Sequence, residues 1–284
     1  MAKQVELLAS YWTLATGSSP HTDHEYSTAS FRDRVAAAAR AGFTGFGIWH
    51  ADLEHTLRTQ SLADVRRILD DHGMRHIELE FLNDWWFKDG ERKAACDQRK
   101  RLLLEAASAL NARHIKVGDF FNTPCPMPQL VESFAALCAE GRKHGTAILF
   151  ELMPFANIHT LAGALELVAG AGAENGGIII DLWHVVKLGI PFAEVARIPK
   201  RFLGGIELND GTLTAPWEMT EDTINHRRLC GEGEFDVKGF VKTMLDAGYD
   251  GPWGIEVLNK EMRTWPAERL AQRAAATTRA QFPA

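Results

Sequence analysis

Four carboxylates stand at the ends of short apolar runs in the second half of the chain. They are Glu151 in "AILFELMP", Asp181 in "IIIDLWH", Glu207 in "GGIELND" and Glu256 in "WGIEVLN". Each run reads as a strand buried on both faces, where an unpaired charge is costly. Brought to one place, four carboxylates repel one another unless a cation neutralises them. Oxygen ligands alone favour a hard divalent ion over zinc: Mn2+ first, with Mg2+ or Co2+ as alternatives. Such an ion can chelate a carbonyl and a neighbouring hydroxyl and acidify the adjacent C–H. A carboxylate on each side of the substrate can then remove and return a proton, and Glu151 and Glu256 are the candidates. His184, three residues past Asp181, is expected at the same place as a catalytic or substrate-contacting imidazole.

The elements that would position these groups recur along the chain. Apolar runs at 5–10, 45–50, 76–82, 114–118, 147–152, 176–181, 203–209 and 253–258 predict strands. Between most of them lie helical patterns such as "LADVRRILDDHG" and "DVKGFVKTMLDAGYDG", ending in Gly or Asn as helix C-termini do. Eight βα units predict an α/β fold, a (β/α)8 TIM barrel forming one domain over residues 1–284. A doubly wound open sheet fits less well, because no GxGxxG follows the first strand. Long connections follow strands 1, 3 and 7, and in a barrel all three gather at the C-terminal face.

Other candidates come from strand ends and loops. His50 closes the second strand and is expected to reach a pocket there. Trp86, beside Trp85 in "NDWWFKDG", is expected as a substrate-contacting pocket wall or as a subunit contact. Glu78 and Glu80 in "HIELEFLND" are read with one side chain toward the barrel interior and the other toward the helices, either paired structurally with Lys116 or Arg75 or contacting substrate.

Composition narrows the partners. The 284 residues carry a net charge of −6 with scattered basic residues, which excludes a nucleic-acid stripe. Four cysteines without a CxxC pair argue against a disulfide scaffold or a zinc ribbon. Neither a signal peptide nor a membrane span is expected, so the reading is a cytoplasmic protein with a small sugar-like substrate. A homo-oligomer, dimer or tetramer, is expected.

Over about residues 147–259 the chain resembles the xylose-isomerase-like barrel superfamily, often called sugar phosphate isomerases/epimerases, which includes inosose dehydratase and hydroxypyruvate isomerase. The carriers are "FELMPF", "IDLWHVVKLG", "IELNDG", "RRLCGEGEFD" and "GYDGPWGIEV" in that order. The resemblance implies one divalent metal on Glu151, Asp181 and Glu256. It places Glu207 where such proteins commonly have His or Gln, which makes this site more anionic. It also implies a substrate contact for His184 and a substrate-oxygen contact for Arg227. The expected activity is isomerisation or epimerisation of a keto-sugar through an enediolate. The alternative is β-elimination on a keto-inositol or 3-keto-glycoside, including C-glycoside deglycosylation, with a second subunit in a hetero-oligomer. Trp-bearing loops after strands 3 and 7 would wall in the aglycone of such a glycoside.

Overall fold

A computed structural model describes residues 5–283. Eight parallel strands close into a barrel: Leu7–Ala9 (β1), Gly45–Trp49 (β2), His76–Leu82 (β3), His114–Val117 (β4), Ala147–Glu151 (β5), Gly176–Asp181 (β6), Leu203–Leu208 (β7) and Trp253–Ile255 (β8). β1 pairs with both β2 and β8, so no edge remains. β1 and β8 are shorter than predicted, and at the end of β8 Thr13 takes over from the ladder. Its hydroxyl donates to the Ile255 carbonyl (2.6 Å) and accepts from the Val257 N–H (3.0 Å).

The outer layer comprises Phe31–Arg40 (α1), His50–Thr56 (α2), Leu62–Asp71 (α3), Gly90–Leu110 (α4), Met127–Lys143 (α5) and Leu161–Ala171 (α6). It continues with Leu182–Lys187 (α7), Phe192–Val195 (α8), Met219–Asn225 (α9), Val237–Asp246 (α10) and Ala267–Arg279 (α11). Side-chain caps start several of them: Ser30 on α1, Ser61 on α3, Thr160 on α6 and Asp236 on α10. The apolar residues of these helices bury against the outward-facing residues of the strands, such as Ile148, Phe150, Ile178 and Ile180.

The alternate residues of each strand point into the barrel, and here many of them are polar. Gly47 and Gly254 make space for them. A Cβ on Gly47 would lie 2.6 Å from Glu80 Oε1, and one on Gly254 would lie 2.8 Å from Glu207 Cγ. The register sets Asp181 beside Glu207, and Glu207 beside Gly254. Two acid-bearing strands, β6 and β7, therefore deliver their side chains to one level of the mouth, and Glu256 lies two residues past the level of Gly254 on β8.

Candidate metal and substrate site

Asp181 ends β6 and opens α7. Its Oδ1 accepts from the backbone N–H groups of Trp183 (2.7 Å) and His184 (3.2 Å), which caps the helix. Its Oδ2 accepts from Asn209 Nδ2 (2.9 Å) and Arg227 Nη1 (2.8 Å). Turning the strand directly into a helix puts His184 in the first turn, with Nε2 3.3 Å from Glu151 Oε1. Burial disfavours charge on Asp181, yet Arg227, His184 and Asn209 together hold its carboxyl below the usual range.

Lys116 occupies the middle of the cluster and is fully buried. Its Nζ lies 2.8 Å from Glu207 Oε1, 3.0 Å from Glu256 Oε1, 3.1 Å from Glu80 Oε2 and 3.9 Å from Glu151 Oε2. Burial alone would lower the Lys116 pKa, but Glu207, Glu256 and Glu80 overcome it and keep the ammonium charged. Arg227 Nη1 lies 3.1 Å from Glu256 Oε2. Burial also acts on Glu151, but Lys116 and His184 hold it below its ordinary value. Burial pushes Glu256 and Glu80 up to about 8, against the pull of Lys116. Glu207 is raised well above the carboxylate range by burial and by the nearby Glu256.

These groups fit a divalent cation. Ligand oxygens of Glu151, Asp181, Glu207 and Glu256 all lie within 4.8 Å of one another. Glu207 Oε1 is occupied by Ser10 Oγ and Lys116, whereas its buried Oε2 has no partner. Lys116 and Arg227 answer only part of the charge of the acids around them, which include Glu80 as well as these four. The excess of carboxylates suits a divalent ion.

A cavity of about 220 Å3 opens above the cluster and is lined by Glu80, Lys116, Glu151, His184, Arg227 and Glu256, among others. His50 also lines it. Trp86 does not. It is 2% exposed, edge-to-face with Trp85, and belongs to the main core. The loop after β3 thus turns its tryptophans inward under α4 and α5. In the loop after β7, Trp217 stacks on His226 at 3.5 Å and also misses the cavity. The aromatic walls come instead from Trp12, Trp49, Phe81, Phe120, Phe121 and Phe155.

The expectation that Glu78 and Glu80 face opposite ways is corrected. Residues two apart in a strand share a face, and both point into the barrel: Glu78 to His114 Nε2 (2.8 Å) and Glu80 to Lys116. The same alternation in "HIKVG" puts Lys116 above His114, a signal that was available for its central place. Arg99, from α4, was not singled out by its sequence position at all.

A profile of the xylose isomerase-like TIM barrel family matches residues 35–281, and the chain belongs to that family. It is 26% identical over 245 residues to a 3-dehydroshikimate dehydratase of Pseudomonas aeruginosa, covering 84% of this chain and 38% of that protein. The chain therefore spans well under half the length of that curated relative. An inosose isomerase of Halalkalibacterium halodurans is 23% identical over 185 residues, 62% of this chain and 64% of that one. Among solved structures, the IOLI protein with a bound zinc atom superposes with a TM-score of 0.83 at 17% identity, covering 98% of this chain and 97% of that one.

Proposed function

We propose that this member of the xylose isomerase-like TIM barrel family holds one divalent ion, Mn2+ in the first instance, and removes the proton beside the carbonyl of a small polyhydroxy carbonyl compound. The observation that supports it most is the convergence of four buried carboxylates, from β5 to β8, on one point at the floor of a cavity. Glu151, Asp181, Glu207 and Glu256 would hold the ion, whose charge supplies Lewis-acid polarisation of the carbonyl. Glu151 is the base: it lines the cavity and its carboxyl stays ionised near neutral pH. Glu256, on the facing side and also lining the cavity, is the second proton-transfer group. Arg227 orients Glu256 and Asp181 and, from the cavity wall, a substrate oxygen.

Return of the proton to the same or the neighbouring carbon gives epimerisation or aldose–ketose isomerisation. Loss of a hydroxyl β to the carbonyl gives dehydration. The second outcome has its own support in His184, which lines the cavity 3.3 Å from the base and can protonate a departing hydroxyl. The likeness to a 3-dehydroshikimate dehydratase agrees with it. Incubation of the Mn2+-loaded protein with D-fructose and with 3-dehydroshikimate in D2O separates these outcomes. Deuterium beside the carbonyl without loss of water identifies the isomerase or epimerase, and growth of an aromatic chromophore identifies the dehydratase. Absence of both deuterium uptake and chromophore growth above the protein-free rate, with both compounds, would sink the proton-abstraction reading.

A further inference from the structure

Every charged group that lines the cavity has a defined partner of opposite charge or a hydrogen-bond donor, with one exception. Lys116 is matched to Glu80, Glu207 and Glu256, and Arg227 to Asp181 and Glu256. Glu25 accepts from Trp49 Nε1 (3.0 Å) and from the His21 N–H (2.8 Å). Arg99 lines the same cavity, and its only partner among the described residues is the neutral amide oxygen of Asn83. A guanidinium half-withdrawn from water without a carboxylate is an open binding valence, and its planar fork suits a carboxylate. Beside it, His50 is 92% buried (8% exposed) and its Nδ1 has no partner.

We propose that Arg99, with His50 and Asn83, forms a carboxylate-binding subsite, so that the substrate is a small cyclic hydroxy-carbonyl acid rather than a neutral sugar. This deepens the proposed function and rests on it for the orientation of the substrate. Arg99 and Asn83 follow β3 and His50 follows β2, whereas the acids come from β5 to β8. The carboxylate would therefore be held across the mouth from the carbonyl. Burial and the charge of Arg99 lower the His50 pKa to about 3, so the imidazole is neutral and charge recognition falls to Arg99. A single arginine beside aromatic walls, without a lysine cluster or a glycine-rich cradle, fits a carboxylate better than a phosphate.

The test is binding of shikimate and of its neutral methyl ester, by calorimetry, to wild type, Arg99→Gln and Arg99→Lys, each with Mn2+ and after EDTA. The proposal expects shikimate to bind wild type roughly tenfold or more tighter than the ester. That preference should vanish in Arg99→Gln and partly persist in Arg99→Lys, with ester affinity little changed. Equal binding of acid and ester, a preference that survives in Arg99→Gln, or binding of neither compound overturns it. So does a larger Arg99-dependent preference for D-fructose 6-phosphate over D-fructose than for acid over ester. Because the readout is an acid-to-ester ratio at fixed metal content, failure of the metal reading leaves that ratio measurable and is distinguished from failure of this one.

Discussion

At the scale of the residue, the site is a balance of charge in a place with little water. Lys116 is the centre of that balance, within 3.1 Å of three glutamates. Removing one partner of a buried pair leaves the other uncompensated, so Lys116→Met should cost the metal-free protein about 3–5 kcal/mol in urea unfolding. An unchanged midpoint would mean that the glutamates need no counter-ion. The pH dependence follows from the same groups. Glu80 and Glu256 have folded pKa values near 8, above the ordinary carboxylate value, so they release protons on unfolding between those limits. Stability of the metal-free protein is therefore present at low pH and lost as pH rises through about 8. His50 and His114 are both lowered to about 3 by burial, with Arg99 and Arg113 adding to it, and they act the other way. Their contribution is full above pH 6.5 and is lost as pH falls below it. From pH 6.5 toward 8 the raised glutamates dominate these contributions, and stability should decline as the pH rises. Unfolding curves across that window, with EDTA, check the sign.

At the scale of the element, two local devices set the acids in place. The first is the helix cap. In Asp181→Asn the amide oxygen can still accept from Trp183 and His184 and keep α7 capped. The variant should keep its helical circular dichroism while losing Mn2+-dependent stabilisation. The second is the missing Cβ of Gly254, 2.8 Å from Glu207 Cγ. Gly254→Ala should push Glu207 off its position and weaken Mn2+ binding on the order of ten- to a hundredfold, the usual cost of disturbing a ligand's support. Much of this layer was legible in advance. A strand buried on both faces reads as an apolar run, so β3 and β6 matched their predicted bounds and the acids stood out at the ends. The walls were not legible, because loop conformation decides which aromatic residue turns inward. Trp86 has the composition of a pocket wall, yet it packs into the core, while Phe120 and Phe155 line the cavity. Arg99 lies one helix away from any strand end, where no strand periodicity points to it.

At the scale of the whole molecule, the barrel gathers groups that are far apart in sequence onto one face. Ser10 and Glu207 touch across 197 positions, and Lys116 and Glu256 across 140. A core so dense in polar groups depends on their mutual pairing, and Glu207 Oε2 is one of its buried atoms without a partner. Among the described residues no helix is long and apolar enough to cross a membrane. Metal binding and folding are therefore expected to be coupled. An ion at about 100 times its dissociation constant should add about 2.7 kcal/mol to the stability of the whole barrel. It should also displace protons from the raised glutamates, so affinity should rise with pH.

Calorimetric titration of EDTA-treated protein with Mn2+, in wild type and in Glu256→Gln, tests the central claim most directly. The account predicts one ion per chain in wild type, with proton release, and loss of that binding in the variant. Absence of binding in metal-free wild type, or an equal isotherm in Glu256→Gln, would contradict it.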